Sequence, residues 1–174
     1  MFCRGRAKRR VALAAVLTTL GLGVAVAGPG SAFAGCAGSN EASPSLSKGK
    51  ARDAIACLFN KERSAQNVKP DRDLEQAAQS HTSTMRKQGC FLHQCPGELS
   101  LTARVKRAGY SSSPYVGEVI VSYPRQATPR DVVSAWMSSA PHREEILRRS
   151  FKDVGVGISV RGSNVLYTAV LGHK

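Results

Sequence analysis

Acidic and aromatic residues are scarce in this chain of 174 residues. It has 12 Asp and Glu against 25 Lys and Arg, and Phe, Trp and Tyr together make up 6% of the residues. With 42% apolar residues, the chain is nevertheless too hydrophobic for a disordered tail. Its length and composition exclude collagen-like, coiled-coil and multi-domain architectures and fit one globular domain.

Motifs typical of several enzyme classes are also absent. The sequence has no H-E-x-x-H metal motif, no G-x-S-x-G around a serine and no phosphate-cradling glycine loop. Lys and Arg residues are scattered and do not cluster with aromatic residues, so no nucleic-acid partner is predicted. Residue spacing by itself therefore does not indicate an enzyme.

The first 34 residues have the order of a secretory signal. Five of the 25 basic residues lie in the first ten positions, an uncharged stretch follows at 11–28, and Pro29 precedes an A-x-A site that ends at Ala34. We predict a Sec-type signal peptide at 1–34, cleavage after about Ala34, and a secreted protein with no stable membrane span. The alternatives are a retained anchor, because the uncharged stretch reaches the lower limit for spanning a bilayer, and a lipoprotein modified at Cys36.

The chain after residue 34 keeps 20 basic residues against 12 acidic ones, a net charge of +8. Such a surface attracts polyanions by long-range electrostatics, which outside the cell means an anionic envelope polymer or an anionic lipid. The alternative is a solvated basic surface that has no specific partner.

Four cysteines follow the signal segment: Cys36, Cys57, Cys90 and Cys95. An even number in an exported chain indicates disulfides, and four cysteines admit three pairings. We favour bonds between the first two and between the last two, the latter closing a tight ring around residues 91–94. The alternative for the last two is a zinc cluster that also uses His93.

Helices are predicted in the first half of the chain. Residues 35–46 form a short polar extension, and the domain proper is predicted at 47–174. Ser47 caps a first helix in which apolar residues recur from Ala51 with helical spacing, and 67–70 ends it. Further helices are predicted at about 71–88 and 100–108, each stopped by a glycine.

Strands dominate the second half. Residues 116–123 read as a strand that contains Glu118, Thr128 starts a helix, and His142 falls in the first turn of another short helix. Residues 154–160 and 165–171 read as a hairpin joined by a Gly-Ser-Asn turn. Helices followed by strands indicate an α+β domain.

Six motifs follow one another in a recognisable order. They are 78–85 (AQSHTSTM), 91–93 (FLH), 108–110 (AGY), 117–120 (GEVI), 136–143 (WMSSAPHR) and 151–157 (FKDVGVG). Together the motifs resemble the bacterial branch of the CAP superfamily, also called the SCP or PR-1-like domain, over about residues 50–172. The resemblance implies an α-β-α sandwich with a small antiparallel sheet and a shallow cleft lined by histidines and glutamates.

The resemblance also implies the residues of that cleft. His93, Glu118 and His142 match two histidines and one glutamate that can take a divalent ion such as zinc in the wider superfamily. Ser139 occupies the place of the second glutamate, so the implied metal site is weaker than usual or empty. Arg143 belongs to the same motif as His142, and its pairing with Glu118 or with Glu145 would give the cluster a purely structural role.

Three functions compete at this stage. The leading hypothesis is a secreted, non-enzymatic CAP-domain protein that binds an extracellular lipid or envelope polymer in the His/Glu-lined cleft. The second is a metal-dependent hydrolase of peptide or cell-wall substrates, with His93 and His142 as metal ligands and Glu118 as base or third ligand. The third is a structural envelope protein with a vestigial cleft.

Overall fold

A computed structural model describes residues 35–43, 45–64, 66–111 and 114–174. The predicted signal peptide at 1–34 lies outside these residues. None of the described helices combines the length and the apolar character needed to cross a bilayer.

The described residues form five helices and four strands. The helices are α1 (Lys48–Glu62), α2 (Arg72–Gln88), α3 (Leu101–Ala108), α4 (Pro129–Ser138) and α5 (Ala140–Leu147). The strands are β1 (Lys69–Pro70), β2 (Tyr115–Pro124), β3 (Asp153–Arg161) and β4 (Asn164–His173). The predicted helices and strands are confirmed to within a few residues at their ends. The sequence did not predict β1, whose two residues are too few for a periodic signal.

Local capping explains where the helices begin and end. The side chains of Ser47, Asp71 and Ser100 accept hydrogen bonds from the first turns of α1, α2 and α3. Thr128 and Asp131 form a reciprocal capping box at the start of α4. α2 and α3 both end at a glycine in the left-handed conformation, as the sequence predicts.

The sheet has the strand order β1-β3-β4-β2. β4 pairs antiparallel with both β2 and β3, and β1 adds a short parallel pairing to β3. Because strand residues alternate between the two faces, one face of the sheet carries Val119, Tyr167 and Ala169 against α1, α4 and α5. The other face carries Ile120 and Val170 against α2 and α3. Helical layers on both faces make the α-β-α sandwich of the prediction.

Arg63, just after α1, joins the end of this helix to α5 and to the segment between α5 and β3. Its side chain is buried, and its guanidinium donates to the carbonyl oxygens of Gln66, Ile146, Arg148 and Phe151. Burial lowers the pKa of Arg63 from its usual value. A buried guanidinium is tolerated here because the carbonyl oxygens accept the hydrogen bonds that water would otherwise accept.

The two favoured disulfides are present. Cys36–Cys57 joins the N-terminal extension to α1 with a Cα–Cα distance of 5.6 Å, and Cys90–Cys95 closes the short ring with a Cα–Cα distance of 6.1 Å. The extension also packs on the domain: the guanidinium of Arg130 donates to the side chain of Asn40 at 2.7 Å.

Candidate functional site

The candidate site is centred on Glu118, whose carboxylate lies inside the protein. Glu118 is on the β2 face that packs against α2 and α3, and only 2% of its side chain is exposed. One carboxylate oxygen, Oε1, accepts a hydrogen bond from Nδ1 of His93 at 2.9 Å. The other, Oε2, accepts one from Nη2 of Arg104 at 3.0 Å. Both oxygens of the buried carboxylate therefore have a partner.

His93 covers this carboxylate from the solvent side. It lies in the ring closed by Cys90 and Cys95, and 60% of its side chain is exposed. The His93 backbone carbonyl accepts a further hydrogen bond from Nη2 of Arg104 at 2.9 Å. The disulfide ring and Arg104 thus hold the imidazole over Glu118 while its outer edge faces water.

The contact with Glu118 raises the pKa of His93, because the carboxylate hydrogen-bonds to the imidazolium and attracts its charge. Burial of His93 and the positive charge of Arg104 oppose this shift. The His93–Glu118 pair therefore stabilises the folded protein fully at pH values below the ordinary histidine pKa. This stabilisation is lost as pH rises through the raised pKa of His93.

A second buried pair, His81 and Glu98, lies behind the first. His81, in α2, is fully buried. Its Nδ1 forms a hydrogen bond of 2.8 Å with Oε2 of Glu98. Its other ring nitrogen, Nε2, has no hydrogen-bond partner among the described residues and lies 3.8 Å from Oε1 of Glu118. The apolar face of α2 indicates a core histidine at position 81, and the structure places one there.

Sequence reasoning missed Glu98 and Arg104 as members of the site. The signal for Arg104 is its place beside Val105 on the buried face of α3, where a charged residue needs a partner. Glu98 lies between α2 and α3, and no spacing rule connects it with His81. The complete cluster contains two carboxylates, two imidazoles and one guanidinium.

His142 lies in the other helical layer, within range for its charge to interact with that of His93. It is in the first turn of α5 and is half-buried. Burial lowers the pKa of His142, and the positive charge of nearby His93 lowers it further. Protonation of one of these imidazoles therefore disfavours protonation of the other.

Arg143 and Ser139 flank His142 without joining the buried cluster. Ser139 precedes α5, and Arg143 is exposed and donates from Nη1 to the carbonyl of Met137 at 2.9 Å. Arg104 rather than Arg143 pairs with Glu118, and Arg148 pairs with Glu145 at 2.8 Å. The pairing suggested for Arg143 is wrong because its guanidinium is bonded to the end of α4 instead.

One of the three predicted metal ligands, Glu118, is committed to other contacts. Both oxygens of Glu118 are already hydrogen-bonded to His93 and Arg104. Within the described ranges, no three His, Cys, Asp or Glu side chains are grouped to hold an ion. The alternative zinc cluster with His93 is excluded, since its two cysteines form a disulfide.

Comparisons with known proteins agree with this fold. The CAP profile of the cysteine-rich secretory protein family matches residues 51–171. The uncharacterized protein YkwD of Bacillus subtilis is 38% identical over 109 residues, which are 61% of this chain and 41% of that protein. The chain thus spans less than half the length of this curated relative.

Solved structures support the fold independently. An extracellular protein of Bacillus anthracis that contains an SCP domain superposes with a TM-score of 0.60 at 23% identity, over 74% of this chain and 44% of that one. An outer surface protein of Borrelia burgdorferi gives a TM-score of 0.57 at 19% identity, over 69% and 86% of the two chains. The profile match, the shared fold and the order of the motifs establish that this chain belongs to the cysteine-rich secretory protein family and carries a bacterial CAP domain.

Proposed function

We propose that this protein is a secreted, non-enzymatic binding domain whose cleft at His93 and His142 takes an anionic group of an extracellular lipid or envelope polymer. The observation that carries the proposal is that an imidazole is exposed at the site while the carboxylate beneath it is buried. His93 exposes 60% of its side chain, whereas Glu118 beneath it exposes 2%. A ligand that approaches His93 therefore meets its imidazole before it meets the Glu118 carboxylate.

The electrostatics of the cleft favour an anion. Glu98 and Glu118, the carboxylates of the buried cluster, are hydrogen-bonded inside the protein. The raised pKa of His93 increases the fraction of imidazolium at neutral pH, and Arg143 is exposed in the turn that holds His142. Phosphate and carboxylate groups are the natural partners of such donors.

The same contacts argue against hydrolysis. A hydrolase needs a group that is free to receive a proton from the attacking water. Both oxygens of Glu118 are occupied by His93 and Arg104, so the carboxylate serves to hold the imidazole in place.

Secretion is part of the proposal. Residues 1–34 have the order of a signal peptide, and two disulfides are typical of proteins that fold in an oxidising compartment. The related protein of Bacillus anthracis is described as extracellular, and that of Borrelia burgdorferi as an outer surface protein.

Binding should depend on pH through His93. We expect affinity for phosphate-containing wall polymer, or for vesicles of phosphatidylglycerol and phosphatidylcholine, to rise roughly fivefold between pH 8 and pH 6. The reason is that His93 gains its positive charge as pH falls through its raised pKa. Co-sedimentation at both pH values, with each anionic probe in a separate series, measures the effect and distinguishes the two sources of phosphate.

A matched control variant isolates the cleft. The double variant His93→Gln, His142→Gln should bind weakly at both pH values, while His173→Gln, at the exposed end of β4, should behave as wild type. If the double variant binds as wild type but unfolds more easily, the cleft is structural and the proposal is wrong.

Metal analysis tests the hydrolase alternative. After incubation with zinc and exhaustive dialysis, we expect well under one zinc per chain, because Glu118 is not free to coordinate and the described residues offer no group of three ligands. Elemental analysis of wild type and of His93→Ala, His142→Ala provides the measurement. One zinc per wild-type chain that is lost in the double variant would favour the hydrolase.

A further inference from the structure

The ring closed by the second disulfide exposes two large apolar side chains. Phe91 and Leu92, the ring tip, are adjacent in this ring and are 44% and 55% exposed. The other described phenylalanines, Phe59 and Phe151, are almost fully buried. Neighbouring apolar side chains that stay in water mark a surface that contacts an apolar partner or phase. The proposed cleft gives these two residues no role.

Contacts on both sides hold the ring in one conformation. His93, which follows the ring tip, hydrogen-bonds to Glu118 at 2.9 Å. Gln94 donates from its side-chain nitrogen to the carbonyl of Glu98 at 2.8 Å. Because the disulfide also joins its ends, the ring cannot fold the tip back onto the domain without breaking these contacts. A tip that is fixed in advance loses little conformational entropy when it enters another phase.

Cations without acidic partners lie beside this ring. Arg86 and Lys87 are exposed in the last turn of α2, which leads into the ring through Gly89. Arg161, exposed at the end of β3, donates from Nη2 to the Gly89 carbonyl at 3.0 Å. All 12 Asp and Glu residues of the chain are among the described residues, and none of them forms an ion pair with these three cations. The ring has no acidic residue of its own, so its apolar tip has positive charge nearby.

The small size of the ring tip favours a membrane over a protein partner. A stable protein interface buries about 800 Å² on each side, far more than two side chains offer. A second copy of this chain would also bring the same three cations together. A bilayer requires only that a few apolar side chains enter the interfacial region while cations meet the anionic lipid headgroups.

We propose that the disulfide ring is a membrane-contact site. The ring tip enters the interfacial region of a bilayer that contains anionic lipid, and Arg86, Lys87 and Arg161 meet the lipid phosphates. The site rests on the proposed function and narrows it, because it selects a lipid surface over an envelope polymer. Since the ring also carries His93, its insertion places the cleft at the level of the headgroups.

Tryptophan fluorescence measures the insertion directly. The native Trp136 is fully buried in α4, so lipid should leave its emission unchanged. In Leu92→Trp, vesicles of phosphatidylglycerol and phosphatidylcholine with brominated acyl chains should quench the new tryptophan, and unbrominated vesicles should shift its emission to shorter wavelength. Leu147→Trp is the matched control, because Leu147 is an exposed leucine at the end of α5, in the other helical layer, and it should show neither effect.

Vesicle co-sedimentation measures the contribution of each part. Phe91→Ser, Leu92→Ser should weaken binding to the same vesicles by about tenfold or more, because it removes the apolar side chains that leave water. Arg86→Gln, Lys87→Gln should weaken binding by roughly fivefold for each charge removed. Lys48→Gln, Lys50→Gln, at the exposed start of α1, removes the same charge and should change binding by less than about twofold at physiological salt. Circular dichroism confirms that each variant is folded.

A soluble anion distinguishes this site from the cleft. Phosphate-containing wall polymer should bind to Phe91→Ser, Leu92→Ser as to wild type, whereas the His93→Gln, His142→Gln variant should bind it weakly. If the polymer binds equally well to all three proteins, the proposed function fails while the fluorescence still reports on the ring.

The membrane contact is overturned if the Leu92→Trp emission is not quenched, or if Phe91→Ser, Leu92→Ser sediments with vesicles as wild type does. Loss of binding to whole cells in that variant, with vesicle binding unchanged, would indicate a protein partner and would overturn it as well.

Discussion

Replacing Gly155 by alanine is expected to lower the free energy of unfolding by about 4 kcal/mol or more, and to prevent folding if the chain has less stability than that. A Cβ atom at this position would lie 2.0 Å from the backbone nitrogen of Glu75 and 2.1 Å from the carbonyl carbon of Leu74. Because both are backbone atoms of α2, no side-chain rotation relieves the overlap. α2 would have to move away from β3 and would open the layer that contains His81.

Urea denaturation followed by circular dichroism measures this loss. Gly157→Ala should behave similarly, since its Cβ would lie 2.3 Å from the carbonyl oxygen of Ala78. Gly49→Ala is the control: nothing lies within 4 Å of the added Cβ, and alanine has the better helix propensity in α1. A Gly155→Ala protein within about 1 kcal/mol of wild type would contradict the close approach of α2 to β3.

These glycines illustrate how far the sequence predicts the fold. The alternation of valine with Gly155 and Gly157 correctly indicates a strand, because apolar residues at every second position face one side. It does not indicate which helix covers the glycine side. That depends on the packing of a segment far earlier in the chain, which no local pattern contains.

The candidate site, like the fold, is predicted only in part by the sequence. The motif resemblance brings His93 and Glu118 together, and the structure joins them by a direct hydrogen bond at 2.9 Å. Arg104 could not be assigned from the motifs, since its role depends on the distance across the α3–β2 contact. The sequence offers Arg143 as a partner for Glu118 or Glu145 because it follows His142, but adjacency along a helix does not determine where a long side chain finds an acceptor.

Replacing Arg104 by methionine is expected to lower the free energy of unfolding by about 3–4 kcal/mol. Methionine fills much of the same volume but leaves the Glu118 carboxylate buried with one hydrogen-bond partner in place of two. The His93 carbonyl loses its donor as well. Arg107→Met, three residues along α3 and exposed, should change stability by less than about 0.5 kcal/mol.

A double-mutant cycle with Glu118→Gln tests whether the loss comes from the unpaired carboxylate. We expect a coupling free energy of about 2 kcal/mol, because removing the charge of Glu118 removes most of the penalty for losing Arg104. The histidine signals in NMR spectra give an independent measurement. Arg104 lowers the pKa of His93, so that pKa should rise further in Arg104→Met while the disulfide ring keeps the imidazole on Glu118. Additive losses in the cycle, or a His93 pKa that falls towards its ordinary value, would mean that Arg104 does not hold the carboxylate as the geometry indicates.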